Sequence, residues 1–205
     1  MGISFSRIGS HDGVVQSKRG LINTMEEILS LSLDTLTEGI PFICLGKEHE
    51  FVQRCVFMLD RYNHQSGVVL SFSRDNPVEA KKYNLLWSLL PSEQLKRSNS
   101  DVWKSTERSA EAIAFLIIRE CTKYTAIEES ARGNGIDYYL CEQDDPSWRS
   151  CAKLEVSGIG EGSTGSIANR INEKKKRLHP SDPTKVFIVV VEHSTPSVVM
   201  AVVNS

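Results

Sequence analysis

The sequence predicts an α/β fold, and two observations support this prediction. In the second half of the chain, helical and strand patterns follow one another in the order α-β-β-β-α-β, with one extra strand at the end. Residues 186–191 are almost wholly apolar and β-branched, which is typical of a strand that is covered on both faces. The chain has 205 residues, 40% of them hydrophobic, and can therefore bury the core that such a fold requires.

Charge and cysteine content exclude several classes of protein. The formal net charge of -2 excludes binding of nucleic acid through bulk positive charge but allows a local basic patch. The five cysteines are scattered without metal-ligand spacing, which argues against a zinc site or a disulfide framework and favours reduced thiols. No apolar run approaches the length of a membrane span, and the N-terminus lacks a signal-peptide pattern. We therefore expect a cytoplasmic protein with no membrane segment.

The first half of the chain is predicted to be a flexible tail, residues 1–20, followed by an N-terminal α/β extension, residues 21–95. Residues 24–27 form a capping box, which predicts the start of a helix. The predicted elements of the extension are a helix to about residue 37, a strand at 40–45, a helix at 51–59, a strand at 68–72, a strand or helix at 83–90 and a linker at 91–100.

The second half, residues 101–205, is predicted to be the core domain. Its first helix has one broad apolar face, and its second helix is capped by Ser163 and ends in lysine and arginine, as the helix dipole favours. The predicted elements are a helix at residues 101–122, strands at 124–128, 136–141 and 151–157, a helix at 164–178, and a hairpin of strands at 186–191 and 198–203.

Three short motifs place carboxylates on the elements of this core. They are Ser109-Ala110-Glu111-Ala112 on the first helix, Gly135-Ile136-Asp137-Tyr138 at a strand start, and Leu154-Glu155-Val156-Ser157-Gly158 in the next strand. These motifs resemble the GExxA, GxD and (I/V)EVKG patterns of the PD-(D/E)XK nuclease superfamily, and the resemblance covers about residues 105–195. It implies a restriction-endonuclease-like core, in which a mixed central sheet is flanked by helices.

The resemblance also implies a metal-dependent nuclease that hydrolyses phosphodiester bonds, with DNA favoured over RNA as the substrate. Carboxylate oxygens are suitable ligands for Mg²⁺ or Mn²⁺, which stabilises charge on the phosphate and activates a water. The predicted metal ligands are Asp137, Glu155, the carbonyl group of Val156, and Glu111. The predicted catalytic residues are Asp137, Glu155, Lys153, Ser157 and Glu111.

Ser157 stands where the motif of the superfamily has a lysine, and this departure places the catalytic activity in question. Side chains alternate along a strand, so Lys153 faces the same side as Glu155 and is one candidate to replace that lysine. The helix at 164–178 offers other candidates, as some members of the superfamily supply a relocated lysine from this helix. The predicted nucleic-acid-binding residues are Arg132, Arg149, Arg170, Lys174 and Lys175.

Some of these residues also have an ordinary structural interpretation. Glu111 can be a solvent-facing helix residue, Asp137 a turn residue, and residues 174–177 a solvated helix end. His193, at the end of an apolar strand, is most simply a hydrogen-bonded strand-end residue.

Two further functional hypotheses therefore stay open. One is a catalytically degenerate nuclease fold used as a binding or assembly module, in a bacterial defence or toxin–antitoxin-like system. The other makes residues 21–90 a regulatory or dimerisation unit, so that the chain acts as a homodimer or with a partner protein.

Overall fold

The computed structural model describes residues 28–75, 80–131, 135–179 and 182–204. The predicted tail at residues 1–20 and the capping box at residues 24–27 lie outside these ranges. The described strands are β1 (Leu29–Ser32), β2 (Val68–Arg74), β3 (Lys81–Leu86), β4 (Tyr124–Glu129), β5 (Tyr138–Glu142), β6 (Ala152–Ile159), β7 (Lys185–Glu192) and β8 (Ser197–Val203). The helices are a 3₁₀ helix (Leu33–Glu38), α1 (Leu45–Arg61), α2 (Glu93–Ser98), α3 (Val102–Cys121) and α4 (Thr164–Arg177).

The strands form one mixed sheet of eight strands in the order β1-β3-β2-β8-β7-β6-β5-β4. Three neighbouring pairs are parallel, namely β1 with β3, β2 with β8, and β6 with β7, and the other four are antiparallel. From α3 to β7 the chain follows the order α-β-β-β-α-β, with β8 as the extra strand. The predicted α/β fold with a mixed sheet flanked by helices is therefore confirmed.

Alternating side chains of β7 pack against the helical layers on the two faces of the sheet. Phe187, Val189 and Val191 belong to the main core, which also contains the apolar faces of α1 and α3. Val186, Ile188 and Val190 form a smaller core with Ile167 and Ile171 of α4 on the opposite face. The prediction of a strand covered on both faces is confirmed, and the apolar pattern of residues 186–191 follows from it.

Two predictions for the first half of the chain are wrong, and a third is incomplete. Over residues 28–37 the predicted helix is replaced by β1, which pairs with β3, and by the 3₁₀ helix, which begins where the Ser32 hydroxyl accepts a hydrogen bond from the Asp34 N–H at 3.3 Å. Residues 40–44 form no strand, because Phe42 has a positive φ of 56° that an extended chain does not allow. The predicted linker at 91–100 contains α2, which is capped by the Ser92 hydroxyl.

The sheet and the main core continue across residues 95–101, where the sequence predicts the boundary of the core domain. β2 pairs with β8, so strands from both halves of the chain lie in one sheet. α1 packs on α3 through an edge-to-face contact of Phe51 with Phe115, whose ring centroids are 5.3 Å apart. No helix in the described part of the chain is both long and apolar enough to cross a membrane.

Gly158 allows α3 to lie directly on β6. A Cβ atom at this position would be 2.3 Å from the backbone oxygen of Thr106, closer than two non-bonded atoms can come. A glycine is therefore required where the helix crosses the strand. This close approach brings one face of α3 over the end of β6.

Candidate active-site groove

The antiparallel pairing of β5 with β6 stops halfway along β6. Residues 152–154 of β6 pair with β5, and the Asp137 N–H then donates a hydrogen bond to the Leu154 carbonyl at 3.0 Å. One step further, the Asp137 carboxylate accepts a hydrogen bond from the Val156 N–H at 2.7 Å. Residues 155–159 pair with β7, but none of the described strands pairs with their other edge. The open edge of β6 therefore begins at Asp137.

A surface groove lies along this open edge, between α3 and α4. It consists of two adjoining parts, with volumes of about 760 Å³ and about 1030 Å³, and the second extends toward β4 and β5. The first volume is in the range of ligand-binding sites, which is about 300–1,000 Å³, and the second is at its upper limit. Six residues line both parts and define what we call the groove: Trp103, Glu107, Glu111, Asp137, Lys174 and Arg177.

Glu155 is the most deeply buried carboxylate beside the groove. Leu154 and Val156 point into the main core, so alternation along the strand directs Glu155 to the face that α4 covers. The residue is only 4% exposed, and Lys174 of α4 donates a hydrogen bond to its Oε1. Burial and, next, the nearby Asp137 carboxylate raise the pKa of Glu155 to about 7, although Lys174 acts in the opposite direction. Asp137, Glu155 and Lys174 therefore form one electrostatically coupled cluster.

Glu111 reaches the groove from α3 on the other side of the sheet. Its Oε2 accepts hydrogen bonds from Arg108 Nη1 at 2.7 Å and from the Tyr138 hydroxyl at 2.9 Å. Burial raises the pKa of Glu111 to about 7, against the opposing effect of Arg108. With its side chain 13% exposed, Glu111 is not the solvent-facing helix residue of the ordinary interpretation.

The other residues of the β6 motif differ in their surroundings. Lys153 faces the same side as Glu155, but its ammonium group forms an ion pair with Asp182. Ser157 lines the groove and is partly buried. Val156 contacts Asp137 through its N–H, whereas the predicted metal ligand is its carbonyl group. The cation at Glu155 is thus supplied by the helix and not by Lys153.

The predicted nucleic-acid-binding residues are only partly brought together. Lys174 and Arg170 line the groove. Lys175, the next residue of α4, lines a separate cleft beside Val199 and Ala201. Arg149 is exposed in the loop between β5 and β6 and lines neither part of the groove. Arg132 lies outside the described residues.

Three groove residues were not predicted from the sequence as site residues: Trp103, Glu107 and Arg177. The first two precede Glu111 at intervals of four, so that residues 103, 107 and 111 form one stripe along α3. Burial and the Asp137 carboxylate raise the pKa of Glu107. The spacing of four was the signal that could have identified both residues.

Ser109 and His193 form a buried pair behind the groove. The His193 ring is completely buried, and its Nε2 lies 2.7 Å from the Ser109 hydroxyl while its Nδ1 lies 2.9 Å from the Ile159 carbonyl oxygen. Burial lowers the pKa of His193, which favours the neutral ring. The interpretation of His193 as a hydrogen-bonded strand-end residue is confirmed.

Within the described ranges, no group of three or more histidine, cysteine, aspartate or glutamate residues is arranged to hold a metal ion. Two of the carboxylates at the groove, Glu111 and Glu155, are instead paired with Arg108 and Lys174. Comparisons of the chain with protein-family models, with curated proteins and with solved structures found no match.

Proposed function

We propose that this chain is a metal-dependent nuclease with a restriction-endonuclease-like core, which hydrolyses phosphodiester bonds in DNA. One observation carries the proposal: Lys174 is ion-paired with Glu155 beside Asp137, at the open edge of β6. Two carboxylates and one lysine are the groups that the superfamily uses. The order α-β-β-β-α-β of the core elements and the motifs at Glu111, Asp137 and Glu155 also support it.

The donor set at the groove suits Mg²⁺ or Mn²⁺. Asp137 and Glu155 are close enough that the first raises the pKa of the second, and a divalent cation would relieve this repulsion. Mg²⁺ keeps several waters and is usually held by one or two carboxylates, so two such residues are sufficient. When bound, the ion would activate a water and neutralise charge on the phosphate.

The remaining groups of the site have roles that follow from their contacts. Lys174 is held by Glu155 and supplies the positive charge that Ser157 cannot, close to where a phosphate would lie. Arg108 and Tyr138 fix the orientation of Glu111. Arg170 and Arg177 line the groove and can bind phosphates on either side of the reacting group.

A cleavage assay with purified chain tests this proposal on single- and double-stranded DNA and on RNA, with Mg²⁺ or Mn²⁺. We expect Asp137→Asn, Glu155→Gln and Lys174→Met each to lower the cleavage rate by about 100-fold or more. Lys176→Met is the matched control, because Lys176 is on the same helix, is exposed and lines neither part of the groove. Absence of cleavage by the wild-type chain, or full activity of the aspartate and glutamate variants, would show that the proposal is wrong.

A second candidate function is a nuclease-like fold that binds nucleic acid or a partner without cleaving it. The specific observation in its favour is that Glu155 and Glu111 already have cationic partners, Lys174 and Arg108. This alternative predicts nucleic-acid binding that is unaffected by Mg²⁺ and no heat of metal binding in calorimetry. The nuclease proposal predicts metal binding that Asp137→Asn abolishes.

A further inference from the structure

Trp103, at the first turn of α3, is a large apolar side chain of the groove that remains exposed to solvent. It is 73% exposed and lines both parts of the groove. An indole ring that stays in contact with water loses the free energy that burial of an aromatic side chain supplies. Trp103 thus stands where a ligand of the groove would cover it.

We propose that Trp103 is a base-stacking residue and that the groove accepts single-stranded nucleic acid. This inference rests on the proposed nuclease function, because it names the substrate class of the same site.

The first argument concerns the face of the indole ring. Within the described residues, neither an aromatic ring nor a cationic group stacks on Trp103. Trp148, the other exposed tryptophan, is 37% exposed and packs edge-to-face on Phe42 at 6.2 Å between ring centroids. The face of Trp103 is therefore available to a planar ligand, whereas Trp148 already has an aromatic neighbour.

The second argument concerns the spacing along α3. Trp103 and Glu111 are eight residues apart on one stripe of the helix, or about 12 Å at a rise of about 1.5 Å per residue. Glu107 lies between them on the same stripe. Asp137 and Lys174 line the same groove as this stripe, and Asp137 is close enough to Glu107 to raise its pKa. A nucleic acid whose phosphate lies at Asp137 and Lys174 would therefore bring a base only a few nucleotides away over the indole ring.

The third argument concerns charge and base access. Arg170, Lys174 and Arg177 supply positive charge along the groove for the phosphates that precede and follow such a base. In a duplex both faces of an internal base are covered by its neighbours, so an aromatic side chain can stack only on an unpaired or extruded base. Single-stranded nucleic acid presents such bases without the cost of unpairing.

The test measures binding of a labelled thymidine oligonucleotide, and of the same strand in a duplex, by fluorescence anisotropy. Asp137→Asn in EDTA serves as the starting chain, so that cleavage cannot interfere. Adding Trp103→Ala should weaken binding of the single strand by about 5- to 100-fold, the range for loss of one base–aromatic stack. Trp103→Tyr should retain most of the affinity, because a phenol ring also stacks.

Trp148→Ala is the matched control and should leave the affinity unchanged. Circular dichroism confirms that each variant is folded, and the exposure of Trp103 means that its removal disturbs no core contact. Equal single-strand affinity with and without Trp103, an equal loss for the duplex, or no single-strand binding at all would overturn the inference. Cleavage of duplex DNA alone would then leave the nuclease proposal standing. Stacking by Trp103 without any cleavage would support the stacking role of Trp103 and contradict the nuclease proposal.

Discussion

Both halves of β6 pair with β7 on one side, but only the first half also pairs with β5 on the other. Residues 152–154 lie between β5 and β7, whereas residues 155–159 pair, among the described strands, with β7 alone. At the junction the Asp137 carboxylate, and not a backbone carbonyl, accepts the hydrogen bond of the Val156 N–H. Because β5 begins one residue after Asp137, the Asp137 carboxylate and the open edge of β6 lie at the same place. The candidate site follows directly from this interruption of the sheet.

The ion pairs on the two halves of β6 differ in their exposure to solvent. Lys153, in the first half, pairs with Asp182, whose side chain is 32% exposed. Glu155, in the second half, pairs with Lys174, and both of these side chains are largely buried. Exposed pairs contribute little to stability, while loss of one partner from a buried pair leaves an uncompensated charge. Substitutions on the two halves should therefore have unequal effects.

The largest effect should come from Gly158→Ala, where α3 crosses the second half of β6. The added Cβ would be 2.3 Å from the Thr106 backbone oxygen, so the helix or the strand must move. We expect a loss of about 3 kcal/mol in the free energy of unfolding, measured by urea denaturation. The displacement of α3 should also lower any cleavage activity, since Glu111 moves with the helix.

Gly46→Ala is the control for this prediction. Gly46 lies in the first turn of α1, and a Cβ atom there would meet nothing within 4 Å. This variant should be more stable than the wild-type chain by about 0.5–1 kcal/mol, because alanine has the higher helix propensity. Equal stability of the two glycine variants would contradict the close approach of α3 to β6.

Removal of the buried cation should have the next largest effect. In Lys174→Met, Glu155 keeps its buried position without a charged partner. We expect a loss of about 2 kcal/mol in the free energy of unfolding at pH 8, below the full cost of an unpaired buried charge because Glu155 can take up a proton. Lys153→Met, which removes the more exposed pair, should cause a clearly smaller loss in the same urea experiment.

The effect of Lys174→Met should depend on pH in a defined direction. The pKa of Glu155 in the folded chain is about 7, above its ordinary value of 4.5, so the folded state binds more protons between these values. Stability therefore falls as the pH rises through about 7. Without Lys174 the folded pKa moves higher, and the fall continues to higher pH. The difference between the two chains should therefore increase as the pH rises above about 7 and be smallest and constant below it, and a difference that grows on acidification would contradict this assignment.

The elements that could be predicted from the sequence are those whose burial leaves a regular pattern. α3 is covered on one face and β7 on both faces, and the apolar residues of each element lie on its covered faces. The four residues of β1 were predicted as helix because they form a strand by pairing with β3, and no local sequence pattern indicates that pairing. At residues 40–44 an apolar run suggested a strand, but the positive φ of Phe42 cannot be inferred from its residue type.

The candidate site also has features that the sequence predicts and features that it does not. The motifs predicted that Asp137 and Glu155 would come together; Asp137 directly precedes β5, which pairs with β6, and its carboxylate lies close enough to Glu155 to raise the pKa of that residue. They could not decide between Lys153 and the lysines of α4 as the partner of Glu155. That choice depends on the rotation of α4, which brings Lys174 to the groove and its neighbour Lys175 to another cleft.

The smallest effect, and the sharpest test of the second half of β6, comes from restoring the lysine of the motif. Ser157 faces the same side as Glu155 and lines the groove. In a Lys174→Met chain, Ser157→Lys should recover cleavage by about tenfold, equivalent to about 1.4 kcal/mol of transition-state stabilisation. The comparison variant is Ser157→Met, which has similar bulk without the charge. Recovery by lysine alone would show that either element can supply the same charge, whereas no recovery would mean that the position of Lys174 on α4 is required.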